Sequence, residues 1–156
     1  MARPATDEKP SLRIERRYPV APEKVWRAWT EPKALSAWFG PGEAHSVTVA
    51  ETDVRVGGRF HVAFRMPDGQ QHDVSGVYRE VVFPRRLVFT WAWKSTPERE
   101  SLVTISFEPE GDSTVMKFLH EQFYDQAARD DHEDGWTRTL EKLAHLLLAD
   151  TKGSLS

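Results

Sequence analysis

His120 is the residue in this sequence best placed for acid–base chemistry. It shares a strand face with Met116 and Phe118 at two-residue spacing, so its side chain should point inward with theirs. An inward imidazole could anchor a ligand or act as general acid or base near neutral pH. Enzymatic cyclisation needs little beyond a shaped apolar pocket and one positioned proton donor or acceptor. His120, with Glu80 or Tyr78, could therefore serve proton transfer on a cyclic or polyketide-like substrate. The alternative is a buried histidine satisfied by a backbone carbonyl. No second catalytic constellation accompanies it.

The other chemistry-bearing residues narrow the field. Six histidines invite a metal reading, but none are paired at i,i+4 and no His-Glu-x-x-His run occurs, which argues against a metal site. Zero cysteines exclude disulfides, thiolate nucleophiles and cysteine zinc sites. No Gly-x-Ser-x-Gly elbow is present, and Ser75 and Ser101 read as ordinary strand residues. Gly57-Gly58 reads as a turn, since a phosphate loop needs a longer glycine pattern and a following helix. Asp53 and Arg55 read as a structural ion pair, although Arg55 could reach an anionic ligand. No cofactor is indicated.

A formal net charge of -3 over 156 residues gives no basic footprint, which argues against nucleic acid. No apolar run approaches the roughly 20 residues that span a bilayer, so no membrane insertion is expected. The N-terminus lacks the apolar core of a signal peptide, and a cytoplasmic protein is the plain reading. Met1–Pro10 reads as a disordered lead-in, 11–150 as one domain and 151–156 as a flexible tail.

The elements that must position these residues follow from periodicity. Leu12, Ile14, Arg16 and Tyr18 alternate as a half-buried strand. Pro22 opens a short helix at the position where its missing N–H costs nothing. Pro32 opens a second that carries Leu35 and Trp38 and stops at Gly40-Pro41-Gly42. A meander of strands follows, with turns at Gly57-Gly58, Pro67-Asp68-Gly69, Phe83-Pro84 and Gly111-Asp112. Gly76 could mark a bulge, which leaves the facing of Glu80 open.

Trp136, Leu140, Leu143 and Leu147 are spaced four, three and four, within an arc of roughly 60° on a helix. Counted from Asp131 to Ala149 that helix is roughly 28 Å long, enough to cross several strands. Asp130, Asp131, Glu133 and Asp134 would sit in its first turn. His132 lies about 40° off the Trp136 line, where it could brace the helix start. Gly135 costs about 1 kcal/mol inside a helix, so something should require it, and close approach of helix to sheet is the expected reason.

A curved sheet gripping a helix implies an apolar cavity, and the aromatics recur where its walls should be. The expected lining comprises Trp38 and Phe39 after the second helix, Phe60 and Phe64 on one strand, and Tyr78 on the next. Trp91 and Trp93 follow, then Phe107, then Met116, Phe118 and His120. Trp136 and Leu140 face them from the helix. Trp38-Phe39-Gly40-Pro41 could form a lip over the mouth, hinged at Gly40 and Gly42, or could simply plug the core.

Several stretches resemble a known family. Leu35-Ser-Ala-Trp38-Phe39-Gly40-Pro41 is similar to its second-helix signature, and Asp53-Val-Arg55-Val-Gly57-Gly58-Arg59-Phe60 to its first hairpin. Gly76-Val-Tyr78-Arg-Glu80, Pro84-Arg-Arg-Leu87-Val-Phe89-Thr90-Trp91 and His132-Glu-Asp-Gly135-Trp136 are similar to its central strands and closing helix. Together, over about Ser11 to Ala149, they resemble the single-domain bacterial homologues of the heat shock protein 90 ATPase activator, in the START-like (SRPBCC) superfamily. The resemblance implies an α+β helix-grip fold, with six or seven antiparallel strands curled round a long C-terminal helix and two short helices after the first strand. Members of that superfamily bind lipids, hormones and polyketides, and some act as cyclases, hydrolases or resistance proteins. Fold does not choose among these.

The leading expectation is a non-enzymatic carrier, sensor or sequestering protein for a small hydrophobic molecule, aromatic or lipid-like. The second is an enzyme of cyclase or hydrolase type using His120. The third is a stress protein that contacts a chaperone through an outer sheet face bearing Thr104, Ser106 and Lys117. The resemblance weakens this last, because the eukaryotic activator's chaperone-binding N-terminal domain would not fit in a chain of this length. A homodimer is compatible with the sequence.

Overall fold

The computed structural model describes residues 9–40 and 47–153. The alternating segments form seven strands. β1 (Leu12–Tyr18) precedes two short helices, α1 (Pro22–Thr30) and α2 (Pro32–Trp38). β2 (Val47–Thr52), β3 (Arg59–Arg65), β4 (Gln71–Val82), β5 (Arg86–Trp93), β6 (Ser101–Glu110) and β7 (Ser113–Glu121) follow, and α3 (Gln126–Gly153) closes the chain. The sheet order is β1-β7-β6-β5-β4-β3-β2, with every neighbouring pair antiparallel. This is the helix-grip arrangement. The inward side chains of β6 and β7, among them Val103, Ile105, Phe107, Met116 and Phe118, are buried with the α3 stripe of Trp136, Leu140, Leu143 and Leu147.

Local chemistry explains the joints. Both short helices carry proline at their first position, and the Trp38 indole N–H donates to the Ala28 carbonyl at 2.9 Å, locking α2 against α1. Thr52 Oγ1 donates to the Thr30 carbonyl at 2.8 Å and ties β2 to the end of α1. Asp53 and Arg55 pair at 2.9 Å beside the β2–β3 turn. Pro41 and Gly42, read as a helix stop and a hinge, lie outside the described residues. So do residues 1–8 of the expected lead-in and 154–156 of the expected tail.

Two details differ from the sequence reading. α3 begins at Gln126 and runs to Gly153, so it is longer than 131–149 and includes 151–153 of the expected tail. Its start is set by Asp125, whose Oδ1 accepts from the Ala128 N–H at 2.8 Å. The acidic residues from Asp130 to Asp134 therefore lie beyond the first turn, where Arg129 binds Asp130 and Glu133. The bulge expected at Gly76 falls instead between Tyr78 and Glu80, where the β4–β5 register shifts. Glu80 is exposed and accepts from Arg86 Nε at 3.1 Å, which removes it from any interior role.

Gly76 has another reason to be glycine. A Cβ there would lie 1.8 Å from the Thr90 carbonyl oxygen and 2.6 Å from a ring carbon of Phe60. Both neighbours are fixed, one by the backbone and one by core packing. Gly76→Ala should cost about 2–3 kcal/mol through forced displacement of β5. Urea denaturation of the variant would show it as a lowered midpoint at unchanged slope.

Candidate functional site

Between the inward faces of β3 and β5 and the first half of α3 lies a cavity of about 480 Å³, within the range of small-molecule sites. Its walls are mainly rings: Phe39 at the end of α2, Phe64 on β3, Trp91 and Trp93 on β5, Phe123 before α3 and Trp136 on α3. These rings hold one another in place. Phe39 packs within 6.0 Å of both Trp91 and Trp136, and those two indoles lie 5.0 Å apart. Ser101, Thr139, His72 and His132 add polar atoms to the lining.

The expected lining residues divide between cavity and core. Phe39, Phe64, Trp91, Trp93 and Trp136 border the cavity. Phe60 and Tyr78 border a separate void of about 20 Å³, too small for more than a water molecule. Trp38, Phe107, Met116, Phe118, His120 and Leu140 border neither and are buried in the core. Trp38 and Phe39 are 0% and 5% exposed, so this pair fills the interior rather than standing over the mouth as a lip.

His120 sits one layer behind the wall. Its surface is wholly buried, and both ring nitrogens are engaged. The Trp136 indole N–H donates to Nδ1 at 3.0 Å, and an indole can only donate. Nδ1 is therefore the bare nitrogen and Nε2 carries the proton, which it donates to Ser101 Oγ at 2.7 Å. Ser101 Oγ in turn lies 3.3 Å from the Trp91 carbonyl that accepts its hydrogen. In this arrangement the serine cannot give its proton to the histidine, so the pair is not an activated nucleophile.

His132 repeats the pattern at the cavity wall. Nδ1 donates to the Ala128 carbonyl at 2.7 Å, and Nε2 accepts from Trp93 Nε1 at 2.9 Å and, more weakly, from Trp91 Nε1 at 3.3 Å. Three tryptophan N–H groups on two elements thus converge on two neutral imidazoles, whose ring centroids are 5.2 Å apart. Burial is the main cause holding both histidines below the usual imidazole pKa. The charge of His132 adds to it for His120, while the Ala128 carbonyl and Asp131 oppose it for His132.

The consequence for stability has a definite sign. With folded pKa values depressed, the unfolded chain takes up protons first as the solution is acidified. The network's contribution is complete above the unfolded pKa of about 6.5 and is lost as pH falls below it. Each histidine adds at most about 1.4 kcal/mol per pH unit, so about 1–3 kcal/mol should be lost by pH 5.5, most of it through His120, whose pKa is held furthest down. Calorimetry should find Tm lower by roughly 2–10 °C at pH 5.5 than at pH 7.5. A level Tm across that interval would mean that both imidazoles can be protonated in place.

Gly135 corrects its own sequence reading. Nothing lies within 4 Å of the position its Cβ would occupy, so close approach of helix to sheet is not its reason. It borders the cavity, and the space at its Cβ position is open. Phe123, Thr139, Ser101, Arg99 and Tyr124 also border the cavity and were missed as lining residues. Ser101 and Thr139 were findable. Ser101 has the inward parity of Val103 and Ile105, and Thr139 lies three residues from Trp136 on the buried face. Phe123 was not, because Gln122 takes a positive φ of 67° and breaks the alternation that would have located it.

Among the described residues no group of three or more histidine or carboxylate side chains is placed to hold a metal ion. Nor is any helix long and apolar enough to cross a membrane.

A family model for Activator of Hsp90 ATPase homolog 1-like protein matches residues 19–148. Among solved structures, the AHSA1 protein from Silicibacter pomeroyi is similar at 30% identity over 90% of this chain and 99% of its own, with a TM-score of 0.76. A protein from Rhizobium leguminosarum shows 29% identity, 90% and 95% coverage and a TM-score of 0.77. One from Nitrosomonas europaea shows 25% identity, 96% and 99% coverage and a TM-score of 0.76. Among curated proteins nothing matches.

Proposed function

The chain belongs to the Activator of Hsp90 ATPase homolog 1-like family, and from that premise we propose that it binds a small, flat, mainly apolar molecule in the cavity between β5 and α3, as a cytoplasmic carrier, sensor or sequestering protein. Gly135 carries the reading. A glycine inside a helix gives up about 1 kcal/mol against alanine, and here no packing contact requires it. What its missing side chain provides is room in a ring-lined cavity. The facing indoles of Trp91 and Trp93 suit an aromatic or conjugated body, which gains from edge-to-face contact as well as burial.

The rival catalytic reading centred on His120 draws no support from the geometry, because that imidazole lies behind the wall with both nitrogens engaged. The family's description also names an activator of the Hsp90 ATPase, and a chaperone contact across the outer face of β6 and β7 is the second reading. Lys117 on that face is exposed and pairs with Glu108 at 3.3 Å. Lys117→Glu with Ser106→Arg should then abolish capture of the cell's chaperone by the immobilised protein; capture by neither form would end that reading.

The direct test of the first reading is a thermal-shift panel of aromatic metabolites, fatty acids, sterols and polyketide fragments. A compound at 100 times its Kd adds about 2.7 kcal/mol, raising Tm by roughly 5–10 °C. A dose-dependent rise with an aromatic compound is the expected result. A panel that leaves the melt of well-folded protein unmoved would overturn it.

A further inference from the structure

Two charged side chains border the cavity from different elements: Arg99, in the loop between β5 and β6, and Asp131 on α3. They do not pair with each other. Among the described residues the Arg99 guanidinium has one ion-pair contact, Glu98 at 3.9 Å, beyond hydrogen-bonding distance, and Asp131 has none. Arg99 is held instead over the Tyr124 ring, its Cζ 3.8 Å from the centroid. A ring face fixes a cation in place without neutralising it. Nearby arginines are used differently: Arg129 binds Asp130 and Glu133, and Arg138 binds Asp134.

Deeper in, the indole N–H groups of Trp91, Trp93 and Trp136 are all donated to histidines, leaving ring surface for the ligand body. Besides the neutral polar atoms of His72, Ser101 and Thr139, the site therefore offers a ligand one cation and one anion, unpaired with each other, at its border. A simple acid would satisfy Arg99 but meet a like charge at Asp131, and a simple amine would do the reverse. Such juxtapositions select against both.

We propose that the cavity takes an aromatic zwitterion of amino-acid type, its flat body against Trp93 and Phe64, its carboxylate on Arg99 and its ammonium group on Asp131. This rests on the cavity-binding reading above and names its ligand class. Because both side chains are partly in water, each contact should be worth about two- to fivefold in affinity.

The test uses three matched probes, naphthylalanine, naphthylpropionic acid and naphthylethylamine, titrated by tryptophan fluorescence at neutral pH and low ionic strength. Naphthylalanine should bind about two- to fivefold more tightly than either of the others. Arg99→Gln should remove its advantage over the amine, and Asp131→Asn its advantage over the acid. Both substitutions are at exposed positions and should leave the melt unchanged. Equal binding of all three probes would overturn the zwitterion proposal while leaving the cavity reading intact. So would an acid that binds as tightly as the amino acid and is indifferent to Asp131→Asn. Binding of none of them to folded protein would overturn both.

Discussion

Gly135→Leu should lose ligand binding and gain stability at the same time. Glycine is about 1 kcal/mol worse than alanine in a helix interior, and leucine is nearly as good as alanine. Nothing outside the helix's own backbone lies within 4 Å of the position a Cβ would take, and the position borders the cavity, so the new side chain should extend into it. Its methyl groups would replace the ligand against Trp93 and Phe64. An overlap of that kind costs a bound molecule about 1–3 kcal/mol, or roughly five- to 150-fold in Kd. Gly135→Ala should show the same two effects in weaker form, with Tm higher by roughly 2–4 °C. Calorimetry and a probe titration on the same preparations separate them. A variant that is destabilised would show instead that Gly135 is needed for packing.

His120→Ala should cost about 3–5 kcal/mol, the sum of an emptied ring volume in a buried core and an orphaned indole N–H. The ring is packed 4.2 Å from Phe123 and 5.5 Å from Trp91, and its loss leaves Trp136 Nε1 with no acceptor. His120→Asn, whose amide oxygen can stand near the position of Nδ1, should recover about 1 kcal/mol of that loss. Urea titration gives both values. The alanine variant should also lose the larger share of the acid sensitivity between pH 7.5 and 5.5, since the more strongly depressed of the two imidazoles is gone. A variant that keeps wild-type stability but abolishes turnover of some substrate would reverse the assignment and make His120 catalytic.

Strands and helices were legible because burial imposes a period on each of them. Val103, Ile105 and Phe107 alternate, and Trp136, Leu140, Leu143 and Leu147 recur at three and four, whatever the ligand. The cavity was not legible in the same way. Phe107 and Trp91 both point inward from adjacent strands, and only the path of α3 over the sheet decides that one meets a neighbour and the other a space. The start of that helix at Asp125 was hidden because Gln126, Ala127 and Ala128 carry no apolar period, although they are good helix formers.

The site's polar logic was hidden for a related reason. His132 was placed at the edge of the buried stripe, but nothing in its spacing pairs it with Trp91 and Trp93, some forty positions away in the chain. Gly135 reads in the sequence as a cost that needs a reason, and only the geometry distinguishes a missing side chain that admits the sheet from one that leaves a cavity open. Arg99 and Tyr124 lie in connections that have no period at all, so their stacking at the border could not be read from sequence.

A crystal structure of the protein soaked with naphthylalanine would show whether the cavity between β5 and α3 holds the ligand. Ring density is expected between Phe64, Trp93 and Gly135, with His132 still accepting both indole hydrogen bonds. Density found only at the surface, with Trp93 and Phe64 collapsed together across the cavity, would contradict it.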